Sequence, residues 1–291
     1  REVEIAIIGG GTAGMSASRE VRKHADSIAL IEGGPFGTTC ARVGCMPSKL
    51  LIAPAQARHQ LLLLPALGIH SDAGEVDGRA VMRRVREERD RFVGFVLDAV
   101  ESFDPAHIVR AHATFEDPHT LVLTAAAAGS PPAFDRIRAQ RIIIATGSRP
   151  QIPETFKAAG DRLVVNDDVF DWDDLPDSVA VFGTGVIGLE LGQALHRLGV
   201  RVHLFGRGGR ITGLSDPVVL AEATRIFTDE LTTHLDAREV RIERDGDSVL
   251  VHFSDADGGQ HSERFDYLLA ATGRTPNVDT LQLQHSGLVL D

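Results

Sequence analysis

Only two cysteines occur in 291 residues, Cys40 and Cys45, beside one tryptophan, one tyrosine and three methionines. So few thiols exclude a disulfide-stapled scaffold, and a chain this long buries enough apolar surface to need no staple. They also leave a thiolate zinc site incomplete, and none of the 12 histidines stands at ligand spacing beside them, so no metal site is expected. Long hydrophobic runs are missing too. LLLLPALGI (61–69) is short and broken by Pro65, so no membrane partner is expected. No secretory h-region precedes the first apolar run, IAIIG, which points to the cytoplasm. Basic residues are in deficit. Thirty Lys and Arg against 41 Asp and Glu give a net charge of -11, which argues against a nucleic-acid partner. Apolar content of 43% and charge of 24% are those of a globular protein, and the length suits about two domains.

Glycine, by contrast, is plentiful and patterned. IAIIGGGTAG (5–14) runs from an apolar strand into Gly9, Gly11 and Gly14, spaced G-x-G-x-x-G. A helix-compatible stretch follows, then IALIE (28–32), a strand ending in Glu32. This is a dinucleotide-binding pattern. The first glycine permits the turn, the second lets the backbone approach a pyrophosphate, and the third lets helix and strand pack closely. Glu32 is placed to accept from adenosine ribose hydroxyls. VAVFGTGVIG (179–188) repeats the spacing with Gly183, Gly185 and Gly188. There the acid is replaced by Gly206, with Arg207 and Arg210 beside it. Arginine suits a 2'-phosphate and points to NADP(H), whereas glycine at the third position points to NAD(H). A second repeat pairs RIIIATGSRP (141–150) with DYLLAATGRTPN (266–277). The expected layout is α/β: two Rossmann-like three-layer domains, the second inserted into the first. Residues 1–150 are expected to form one dinucleotide-binding domain with the dicysteine helix, 151–275 a second, and 276–291 the start of a return to the first. A helix is expected at about 79–103, with its RRVREERDR run as a solvated face. Residues 108–123 read as short strands, and AAAAGSPPA (125–133) as a low-complexity loop.

The cysteines sit in GTTCARVGCMPSK (37–49). Buried thiols, a structural disulfide and a redox pair are the three readings. Residues five apart in a regular helix have Cα atoms roughly 8–9 Å apart, beyond the ~4.4–6.8 Å of a disulfide. A bridge therefore requires one cysteine outside a regular turn. Pro47 belongs in a first helical turn, which starts the helix near Cys45 and favours its thiolate. Lys49 adds a positive charge one turn on. Two dinucleotide sites imply a flavin and a nicotinamide, and a dithiol beside them is a third redox station.

The segment resembles the redox-active stretch of the class I flavoprotein disulfide reductases, in which G-G-T-C-x-x-x-G-C-x-P-S-K is the pattern; here Thr38 replaces the second glycine. The two glycine loops, the two A-T-G segments and their order match as well, and Pro-Ser-Lys is nearest to dihydrolipoamide dehydrogenase. The resemblance implies FAD on Gly9, Gly11, Gly14 and Glu32, with Thr39, the Ala113 backbone, Thr146, Gly147 and Ser148 completing its site. It implies NAD(H) or NADP(H) on Gly183, Gly185, Gly188, Arg207 and Gly273. Cys45 is then the thiol against the flavin and Cys40 the interchange thiol. Lys49 lies by the flavin N5 and pairs with Glu190. The implied reaction is dihydrolipoamide plus NAD+ to lipoamide plus NADH, with a lipoyl group as substrate and a homodimer as assembly. Glutathione, mercuric or another disulfide reductase is the alternative within the family. A redox-inactive nucleotide-binding module and a flavin-dependent transhydrogenase are alternatives outside it. The family pattern continues into an A-G-D segment and a C-terminal interface domain with a His-Glu pair. This chain is expected to lack both, and no histidine here is assigned to that role.

Overall fold

The computed structural model describes residues 1–70, 74–126, 131–211 and 213–290. Residues 127–130 of the low-complexity stretch lie outside the described residues. In chain order the elements begin β1 (Glu2–Ile8), α1 (Thr12–Val21), β2 (Ile28–Ile31), α2 (Thr39–Val43), α3 (Cys45–Leu63) and α4 (Gly78–Glu101). Then come β3 (Ile108–Val109), β4 (Ala111–Asp117), β5 (Thr120–Ala125), β6 (Arg136–Ile144), β7 (Ser148–Pro150), β8 (Leu163–Val165), α5 (Asn166–Val169) and β9 (Ser178–Phe182). The chain continues through α6 (Val186–Arg197), β10 (Arg201–Phe205), α7 (Pro217–Glu230), β11 (Thr232–His234) and β12 (Arg238–Asp245). It ends with β13 (Ser248–Ser254), β14 (Gln260–Phe265), β15 (Tyr267–Ala270) and β16 (Arg274–Pro276).

Two compact units result, each discontinuous in sequence. The first comprises residues 1–42, 90–149 and 275–291. Its six-stranded sheet has the order β3-β2-β1-β6-β5-β4, with β1 parallel to β2 and β6, and β5 antiparallel to β4 and β6. Strands buried on both faces read as continuous apolar runs, and IALI in β2 is buried at every position. Alternation splits β1 between two cores. Ala6 and Ile8 join Ala29, Ile31 and Phe115, whereas Ile7 joins Met15, Leu30 and Phe103.

The second unit comprises residues 43–89 and 150–274. A parallel five-stranded sheet, β11-β10-β9-β15-β8, carries α6 and α3 on one side and the antiparallel β12-β13-β14 on the other. Residues 43–89, expected with the first nucleotide fold, belong here. Leu51 and Ala55 of α3 and Met82 and Val85 of α4 share one core with Val179, Val181, Leu191 and Leu195. The RRVREERDR run is solvated at Arg83, Arg84, Glu87, Asp90 and Arg91 but not at Arg86 and Arg89. Arg86 donates to the Trp172 carbonyl, and Arg89 pairs with Asp171 while its side chain is only 13% exposed.

Candidate active site

Each glycine loop is dictated by crowding. Gly9 has φ +107°, and a Cβ there would lie 2.3 Å from the Ala145 carbonyl oxygen. A Cβ on Gly14 would lie 1.8 Å from the Gly9 oxygen, so helix and strand approach as only glycine allows. The second loop repeats this. Gly183 has φ +121° and a virtual Cβ 2.2 Å from Ala271 O, and Gly188 would meet Gly183 O at 1.9 Å. Gly11 and Gly185 cap α1 and α6 with no side-chain hydrogen bond, and neither first turn holds an acid. Both helices therefore point uncompensated N–H groups into their loops, which fits a pyrophosphate at each.

Glu32 follows directly on β2, which stops at Ile31, and its carboxylate accepts from Gly10 N (2.5 Å) and Gly34 N (2.6 Å). It thus ties the first glycine loop together, and its oxygens keep spare lone pairs for ribose hydroxyls. Ala113 lies in β4, opposite Leu123, on the strand whose His112 ring crowds Gly33. Thr146 and Gly147 follow β6, with Gly147 at φ +68°. Their carbonyls accept from Asn277, through its side chain and its backbone N–H, both at 3.0 Å. Ser148 begins β7. Asn277 is a residue the sequence reading passed over within A-T-G-R-T-P-N.

In the second unit a cleft of about 540 Å³ is lined by Gly183, Thr184, Gly185, Gly206, Arg207 and Gly273 among others. Gly206 leaves no room for an acid, since a Cβ would meet Thr184 Cγ2 at 2.6 Å and Leu235 O at 3.0 Å. Arg207 lines the cleft, whereas Arg210 only offers its carbonyl to Thr184 Oγ1 at 3.1 Å. Asp236 reaches the same turn, but accepts from Gly208 N (3.2 Å) and Arg238 (2.5 Å). The Arg238 bond holds its carboxyl below the usual range. Phe182 and Phe205 stack at 4.6 Å along the cleft wall.

No disulfide joins the two cysteines. Thr39 and Cys40 open α2, Gly44 breaks the helix at φ -131°, ψ -116°, and α3 begins at Cys45, which is exposed. Pro47 occupies the first turn. Thr38 takes the place of a glycine in fact as well as in pattern, at φ +58°, and its Oγ1 accepts from Ala41 N at 3.1 Å. One turn into α3, Lys49 Nζ pairs with Glu190 Oε1, joining residues 141 apart. Ser48, a buried side chain, donates to the same oxygen at 2.8 Å. Ser48 was not singled out from sequence; its burial, 7% exposed, is what reveals it. Glu190 lies on α6, whose N-terminus is the second glycine loop. One helix thus carries both the nucleotide loop and the partner of Lys49.

The family model for pyridine nucleotide-disulphide oxidoreductases matches residues 3–291. The chain belongs to that family. Relatives include a mercuric reductase of Lysinibacillus sphaericus, 27% identical over 98% of this chain and 50% of the relative. A mercuric reductase of Streptomyces lividans is 32% identical (98% and 59%), and a dihydrolipoyl dehydrogenase of Haloferax volcanii 29% (99% and 60%). The chain thus spans about half to three fifths of these relatives' length. Among solved structures, LpdA from Mycobacterium tuberculosis superposes with a TM-score of 0.80 at 25% identity, covering 99% of this chain and 62% of that one. The Cu(II) complex of the HOCl-induced flavoprotein disulfide reductase RclA from Escherichia coli gives 0.81 at 22% identity, covering 100% and 61%, and shows the shared fold. The cofactors of the family are FAD and NAD(P)H. No described helix is long and apolar enough to cross a membrane.

Proposed function

We propose that this chain carries the electron-transfer centre of an NAD(P)H-driven, FAD-dependent dithiol–disulfide oxidoreductase. The observation that carries this reading is the meeting of Ser48 and Lys49, from the Cys-x-Pro-Ser-Lys helix, with Glu190 behind the second glycine loop. Gly9, Gly11, Gly14, Glu32, Thr39, Ala113, Thr146, Gly147 and Ser148 are the residues that would hold FAD. Gly183, Gly185, Gly188, Arg207 and Gly273 would hold the nicotinamide nucleotide. FAD, when bound, relays an electron pair between nicotinamide and thiols. Lys49 supplies a positive charge, and Glu190, held by Ser48, keeps that ammonium in place. Cys45, heading α3, would be the thiol that exchanges electrons with the flavin, and Cys40 the one that exchanges with substrate. The overall balance is NAD(P)H + H+ + RSSR giving NAD(P)+ + 2 RSH. NADPH is the favoured nucleotide, because Gly206 admits no acid and Arg207 faces the cleft while Asp236 is engaged by Arg238.

A carrier-bound or free lipoyl group is the first substrate reading, from Pro-Ser-Lys after the second cysteine, in a cytoplasmic homodimer. A second reading has a specific observation behind it. Mercuric reductases are prominent among the relatives, so a soft metal ion such as Hg(II), held by the thiols, is the other candidate electron acceptor. The test loads the chain with FAD and follows NADPH and NADH oxidation with lipoamide, glutathione disulfide and Hg(II), in parent, Cys40→Ser and Cys45→Ser proteins. Loss of acceptor-dependent oxidation in both variants is expected, with NADPH the faster donor. Equal rates in parent and variants would overturn the dithiol role.

A further inference from the structure

Asn166 belongs to neither glycine loop and to no motif in the sequence. It opens α5 at the end of β8, and its side chain is buried. Its Nδ2 donates to the Val43 carbonyl at 3.1 Å and to Asp167 Oδ1 at 2.8 Å. Its Oδ1 accepts from Arg274 Nη1 at 3.4 Å. Two acceptors at one end and a donor at the other fix the amide's orientation, because only its NH2 group can serve both acceptors. Val43 is the last residue of α2, where a carbonyl has no intrahelical partner. It also lies between the two cysteines. The next residue, Gly44, leaves helical geometry, and α3 restarts at Cys45 with Ser48 N bonded to Gly44 O at 3.1 Å. The break between the helices is therefore held at one end by Asn166 and at the other by the first turn of α3.

We infer that Asn166 is a positioning residue for the dithiol. By fixing the Val43 carbonyl it fixes the Val43–Gly44 break, and with it the place at which Cys45 presents its thiol. A bridge between residues five apart forms only when that break has the right shape. The role rests on the proposal that Cys40 and Cys45 cycle between thiol and disulfide. Asn166 touches neither sulfur and acts through the backbone. A freed break spreads over more conformations, which lowers the effective concentration of one thiol at the other.

The test is a redox titration of the 291-residue chain in dithiothreitol buffers, with thiols trapped and counted by mass spectrometry. The exchange balances as Cys40–SH + Cys45–SH + cyclic oxidised dithiothreitol giving the Cys40–Cys45 disulfide + reduced dithiothreitol. Asn166→Ala is expected to lower the equilibrium constant for bridge formation about three- to tenfold, the scale of one lost hydrogen bond. Asn166→Asp keeps the volume but sets an anionic oxygen against the Val43 and Asp167 oxygens, so an equal or larger fall is expected; it also serves if the alanine variant unfolds. Ser178→Ala is the control. Its buried Oγ accepts from Asp266 N at 3.1 Å in the same unit, so its loss should lower Tm and leave the bridge constant unchanged. Lower Tm with an unchanged bridge constant in both Asn166 variants would overturn the positioning role. A parent chain that forms no Cys40–Cys45 bridge in any buffer would overturn the redox reading itself, and the inference with it.

Discussion

At the scale of single residues, the most informative position is the one that departs from its pattern. Thr38 adopts a left-handed conformation that costs a residue with a Cβ about 1 kcal/mol. It offsets that cost by capping Ala41 N through Oγ1. Thr38→Ala keeps the strain and loses the cap, so about 1 kcal/mol of stability should go. Thr38→Asn suits the backbone and retains a capping oxygen, so it should match or exceed the parent. Urea unfolding of the three proteins distinguishes strain from capping, and an alanine variant as stable as the parent would show that the cap contributes nothing. Gly9, Gly14, Gly183 and Gly188, in contrast, were legible from sequence because each occupies a place where a Cβ would overlap backbone. Ser48 and Asn166 were not. A serine or asparagine announces no partner in sequence, and theirs, Glu190 and Val43 O, lie 142 and 123 residues away.

At the scale of elements, α3 and α6 are joined by Ser48 and Lys49 meeting Glu190. Cys45, Ser48 and Lys49 lie in the first turns of α3, and Glu190 lies one turn into α6. Lys49 is 63% exposed and Glu190 23%, so the pair contributes little to stability, about 0–1 kcal/mol. Glu190→Gln should therefore leave the urea midpoint nearly unchanged while slowing acceptor-dependent NADPH oxidation at least tenfold. An unaltered rate would separate the pair from the chemistry. The strands β10 and β11 hold a different kind of titrating group. His234 stacks on Phe205 and contacts His203, and burial, with His203 beside it, pushes its pKa down to about 4. The folded state thus disfavours a proton that the unfolded chain takes up near 6.5. Stability is expected to fall as pH drops from about 6.5 to 4, with no further loss from this group below that. Burial lowers His203 in the same direction. His234→Phe should flatten the acid limb of stability against pH by about one proton, and an unchanged slope would assign the limb to other groups.

At the scale of the whole molecule, the α/β class, the repeated glycine loops and the start of α3 at Cys45 were legible, because periodicity and glycine spacing are local signals. The allegiance of residues 43–89 was not. Leu51, Ala55, Met82 and Val85 are apolar positions that would suit any core, and only the packed structure shows that they join Val179 and Val181. Arg86 and Arg89 were misread for the same reason, since a run of charges does not reveal that two of them meet Trp172 O and Asp171. Dithiol, flavin and nucleotide are proposed to form one electron path. Its most direct test is the visible spectrum of the FAD-loaded chain, anaerobic, before and after one equivalent of NADPH or, separately, NADH. A new long-wavelength charge-transfer band from Cys45 is expected, absent in Cys45→Ser and formed faster with NADPH. Bleaching of the flavin without that band would contradict it.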